Sequence, residues 1–224
     1  MMSDPSSARR HRRPALLDPG SMDAFAQDRL DPAVISQIAH ETAAILVRTG
    51  RACTDPGMTE RLVRLVDELG LDTVAQLWSE CSARTLPGTL WRLYVIREWV
   101  RRDPVGASGD FSEGMRHADV AVAIAGAGSP PGPEQMKHLA DAILRGVYAA
   151  DVAVALERAA AFCRVVAAGR AAREPDARPV PGRAARSGST TDPGGRHAAS
   201  AAAVLAMSED LAWSAKAWRR GDLV

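Results

Sequence analysis

Apolar positions recur along this chain at intervals of three and four residues between proline and glycine stops, which is the spacing of helix faces. Asp31-Pro32 supplies an N-cap followed by proline at the first helical position, where its missing N–H would be unpaired in any case. Ile35, Ile38, Thr42, Ile45 and Thr49 then share one face of a first helix, and Gly50 offers a left-handed stop. Asp55-Pro56 repeats the device. Met58, Leu62, Leu65, Val66 and Leu69 predict a second helix that ends at Gly70, and Asp72 caps a third with Val74, Leu77, Trp78 and Cys81 inward.

A turn over Thr85-Leu86-Pro87-Gly88 leads into a fourth helix, Thr89 to Arg102, whose apolar residues cover most of its circumference, as in a central helix packed on several sides. Asp103-Pro104 stops it. A fifth helix is expected from Asp110 to Ala125, with Phe111, Met115, Ala118 and Val122 aligned, followed by a glycine-proline loop from Gly126 to Pro133. Pro133 opens a long helical stretch through Val166, bent near Gly146 or Asp151, whose alanines let neighbours approach closely. The segment from Gly169 to about His197, rich in proline, glycine and arginine, reads as a linker. A terminal helix follows, with Val204, Ser208, Leu211, Ala215 and Trp218 in one stripe and Trp213 on the opposite side.

The pattern therefore predicts an all-α protein with a single domain of about six to eight helices. Residues 1–21 form a basic arm without periodicity, residues 22–170 the helical domain, residues 171–197 a flexible linker and residues 198–220 an amphipathic C-terminal helix. Met22 offers an alternative start. The 224 residues, 46% hydrophobic and 25% charged, suffice for one sizeable core. A formal net charge of +1 gives no general attraction to nucleic acid or to acidic lipid. Three separated cysteines, Cys53, Cys81 and Cys163, form no disulfide framework or C-x-x-C pair. The apolar runs are too short for membrane insertion or a secretion signal, so a cytoplasmic protein is expected.

No constellation of residues demands a particular chemistry. Val120 to Gly132 mimics a strand entering a glycine-rich phosphate loop, but Pro130 and Pro131 remove backbone donors, the spacing is not G-x-G-x-x-G, and no second strand-helix unit is visible. Glu113 with His117, and Glu134 with His138, stand four apart on helix faces, yet neither pair matches a zinc or di-iron pattern. No nucleophile motif accompanies the serines. No catalytic, cofactor or metal residues are assigned, and no cofactor is expected.

The helices from Asp72 to Arg102 resemble a helix-turn-helix only in outline, since Trp91, Leu93, Tyr94, Ile96 and Trp99 are poor readers of base edges. Arg9, Arg10, Arg12 and Arg13 add at most a weak phosphate contact beside Asp4 and Asp18. Trp213 leaves two readings open: an exposed anchor for a protein partner, with Trp218 and Leu211 beside it, or a helix packed into the domain on two sides. The leading expectation is a non-enzymatic helical interaction or regulatory protein with a protein partner. The alternatives are a DNA-associated regulator using residues 72–102 and the basic arm, and an enzyme or metal-binding protein centred on His117 or His138.

Overall fold

The computed structural model describes residues 31–53, 55–126, 130–173 and 200–224, without the side chains of residues 119, 120 and 122. The chain divides into two compact units, residues 1–35 and 36–224; of the first, only residues 31–35, the start of a helix, are described. Among the described residues every regular element is a helix, ten in all: α1 (Pro32–Ala52), α2 (Pro56–Val63), α3 (Leu65–Leu69), α4 (Leu71–Trp78), α5 (Leu86–Arg102), α6 (Pro104–Gly114), α7 (Asp119–Ala125), α8 (Pro133–Ala149), α9 (Val152–Arg173) and α10 (Ala201–Arg220). The all-α expectation holds. The number exceeds the expected six to eight because two predicted helices are broken, one at Arg64 and one between Met115 and Ala118.

Most starts lie where the sequence placed them. The Asp55 carboxylate accepts from the Gly57 N–H ahead of Pro56 in the first turn. Asp103-Pro104, read only as a stop, also opens a helix: the Asp103 carboxylate accepts from the Gly106 N–H, so α6 begins at Pro104, six residues before the expected Asp110. Thr85 caps α5 by accepting from Gly88 N–H, so this helix begins three residues before the expected Thr89 and takes in the predicted turn. The long stretch after Pro133 breaks at Ala150-Asp151, where Asp151 accepts from Ala153 N–H to open α9.

The hub of the larger unit is α9, against which α6, α7, α8 and α10 all pack. Its buried residues run around the whole helix and are mostly small, among them Ala153, Ala155, Ala159, Ala160, Ala161 and Gly169. Small residues permit close axes. Gly169, expected to open the linker, is instead buried in α9, and a methyl group there would overlap the Asp110 carbonyl oxygen of α6. The helix runs on to Arg173 because this face is fully engaged, with Phe111 stacked on Phe162 at 5.6 Å and the Asp110 carboxylate held by Arg170 and Arg173 at 2.7 Å each. The remaining linker residues lie outside the described ones.

The expected central helix, α5, is also buried on most sides, between α4, α6, α8 and α10. It carries the largest buried polar groups. Arg97, 1% exposed, donates two parallel bonds to Asp67 at 2.9 and 2.8 Å and a third to Asp141 at 2.7 Å. Burial works against its charge, but these carboxylates prevail and hold the guanidinium pKa above its ordinary range. The Arg97 hydrogen bond in turn holds the Asp67 carboxyl below the usual range. Tyr94 donates to Leu62 O at 2.6 Å and meets the Tyr148 hydroxyl at 2.7 Å. Burial pushes the Tyr94 hydroxyl up to about 12 and that of Tyr148 well above its ordinary value.

Candidate functional site

The first helix inverts its hydrophobic pattern. The residues α1 buries are Ala39, Ala43, Val47 and Gly50, spaced four, four and three apart. The isoleucine stripe read from the sequence lies on the other side: Ile35, Ile38 and Ile45 are 37%, 36% and 49% exposed. Gly50 belongs to this seat and is not the predicted left-handed stop. It is helical and buried, and a Cβ there would stand 2.9 Å from Tyr148 Cβ and 3.0 Å from Leu62 Cδ1. Gly50 brings the C-terminal end of α1 close to Tyr148 and Leu62, and with Ala39, Ala43 and Val47 buried on the same face, Ile38 and Ile45 are left facing outward.

Beside the isoleucines runs a groove of about 230 Å³ lined by Thr42, Ile45, Leu65, Leu69, Leu77 and the floor residue Trp78. Leu77, expected inward, and Leu69 are both exposed here. Trp78 is buried, as expected, with its indole N–H 3.4 Å from the Thr42 hydroxyl. The lining offers no charged group. Its hydroxyls belong to Thr42 and Thr73, which donate to the carbonyls of Ile38, Ala39 and Leu69 on their own or the preceding helix, so the surface offered is mainly apolar.

A wider groove of about 680 Å³ lies along the other flank of α1 and includes His40, Arg48, Arg51, Leu86, Trp218 and Leu223. Arg51 stands 5.8 Å over the Trp218 ring. The imidazole Nδ1 of His40 pairs with Ser36 O at 2.7 Å.

The residues singled out on the last helix are mostly engaged. Leu211 is 1% exposed and packs in the core with Val204, Ser208 and Ala215, the stripe read from the sequence. Trp213 and Trp218 are half-buried, both packed against that core, and Arg84 lies 5.3 Å over the Trp213 ring while bonding Asp210 at 3.1 Å. The helix thus packs on two sides. Ser208 donates to Ala160 O at 2.8 Å, Ser214 meets Thr89 at 2.9 Å, and Arg219 grips Glu157 with both guanidinium nitrogens.

His117 is exposed 3.8 Å from Glu113, and Glu134 pairs with Lys137 at 2.8 Å, not with His138. Among the described residues no three His, Cys, Asp or Glu side chains gather to hold a metal ion. Cys163 is buried and its thiol is pushed up to about 12 by desolvation, which suits packing and not nucleophilic attack. Val120 to Ile124 is helical, as the structural reading of the glycine-rich motif required; residues 127–129 lie outside the described ones. The face of α5 proposed to read DNA is largely buried, and only Arg101 and Arg102 at its end are exposed. Arg9, Arg10, Arg12 and Arg13 fall outside the described residues. No described helix is long and apolar enough to cross a membrane.

The α1 face was missed from sequence because period identifies an apolar stripe but not what covers it. The available signal was the second stripe of Ala39, Ala43 and Gly50, which competes for the same neighbour. Comparison with protein-family models, with curated proteins and with solved structures finds no match.

Proposed function

We propose that this chain is a non-enzymatic helical interaction or regulatory protein that makes protein–protein contacts through the outward face of α1 and the groove beside it. The observation that carries the reading is the inverted burial of α1, with Ala39 and Ala43 inward while Ile38 and Ile45 face out. Exposed branched residues beside an apolar groove give up free energy that a partner recovers, at about 25 cal/mol per Å² of apolar area covered. An amphipathic helix laid along such a groove is a recurrent mode of recognition. Trp213 supports this role less well, because its ring is half spent on the core and on Arg84.

The reading is tested by photo-crosslinking in cell extract, with the reactive side chain placed at position 45 or, as a control, at Val154, an exposed apolar residue of α9. Discrete protein adducts are expected from position 45 and not from position 154, and Ile38→Asp should abolish them. The same adducts from both positions, or none from position 45, would refute the reading.

A further inference from the structure

We infer that the occupant of the α1 face is a second copy of this chain, whose own α1 packs antiparallel across it. The inference rests on the interface reading above and names its partner. Ile38 and Ile45 lie two turns apart and form an exposed apolar ridge, with Thr42 between them. Glu41 and Arg48 flank this ridge along one edge: seven residues apart at ~100° each, they differ by only about 20° around the axis. Both are exposed. Glu41 accepts a hydrogen bond from Gln37 at 2.8 Å, and among the described residues Arg48 has no carboxylate partner.

A ridge with one acid and one base on the same edge is complementary to itself in one direction only. Parallel pairing about a twofold axis along the helices would put the two charged edges on opposite sides of the contact, where neither Glu41 nor Arg48 meets its opposite charge. Antiparallel pairing about a twofold axis midway between them sets each Glu41 beside the Arg48 of the other copy, twice per dimer. The same register brings Ile45 and Thr42 of both helices to the centre. Leu69 and Leu77 extend the apolar surface on the side away from the charges. The isoleucines then supply affinity, while the charged edge fixes direction. A second copy matches this edge with the chain's own Glu41 and Arg48, and that self-complementarity is the argument for this occupant over a foreign amphipathic helix.

Sedimentation equilibrium of the full chain tests the proposal, with circular dichroism confirming that each variant keeps its helix content. A monomer–dimer equilibrium is expected, weakened about tenfold or more by Ile45→Asp, because centrally buried anchors dominate such contacts. Glu41→Arg and Arg48→Glu should each weaken it several-fold, and the double variant should regain most of the loss. A monomer at every concentration up to about 200 µM, where even weak association registers, overturns the proposal; adducts from position 45 to other proteins would then leave the broader interface reading standing. A dimer indifferent to Ile45→Asp overturns it as well, since the contact would lie elsewhere. A dimer formed only after deletion of residues 1–30 would show that the chain's own preceding segment occupies the face, with the same consequence. Failure of the double variant to recover would rule out the antiparallel register.

Discussion

The first and last described helices have exchanged the roles their sequences suggest. The C-terminal helix α10, set apart by a low-complexity segment and bearing two tryptophans, reads as a detachable element, yet it is bound along its length to α9 and α5. Helix α1, with a regular isoleucine stripe, reads as an ordinary amphipathic helix, yet it presents that stripe to solvent. Periodicity says that a helix has a sticky side. It does not say which neighbour takes it, because alanine and glycine can win a close approach that isoleucine loses.

Truncation separates the two helices most strongly. Leu211→Ala should lower unfolding free energy by about 2–5 kcal/mol, as deletions in a packed core do, whereas Ile45→Ala should change it by under about 1 kcal/mol at micromolar concentration. Urea midpoints of the two variants decide this, and equal losses would mean that α1 is turned inward. The seat of α1 gives a middle-sized effect. Gly50→Ala places a methyl 2.9 Å from Tyr148 and 3.0 Å from Leu62, and the overpacking should cost about 1–3 kcal/mol despite alanine's better helix propensity. A stabilised Gly50→Ala protein would show that α1 does not sit against Tyr148. The smallest expected change tests how α10 is tied: Ser208→Ala removes a fully buried hydroxyl bonded to Ala160 O and should cost about 1 kcal/mol. A loss of that size accompanied by faster amide exchange in α10 supports the docked state, and unchanged exchange argues against this tie.

Much of the fold was legible. The aspartate-proline starts at Asp31 and Asp55 encode local hydrogen bonding and a preset φ, which hold regardless of what packs nearby, whereas Asp103-Pro104, read only as a stop, both ends α5 and starts α6. The stripe Val204, Ser208, Leu211 and Ala215 was read correctly because α10 has one neighbour that outweighs the rest. Gly50 and Gly169 were misread as a stop and a linker start, since a glycine that ends a helix and one that admits another helix look alike in sequence. The candidate site was legible only in its parts: Ile38, Ile45, Leu69 and Leu77 were all recognised as apolar, but none as outward.

The chain alone determined that this protein is helical and roughly where its helices begin, because caps, breakers and period act within a few residues of one another. Tertiary structure alone decided that α9 is the hub, that Arg97 is buried between Asp67 and Asp141, that α10 is held fast and that α1 faces outward. Those outcomes depend on which surfaces compete for a limited interior, and that competition is settled among residues far apart in sequence.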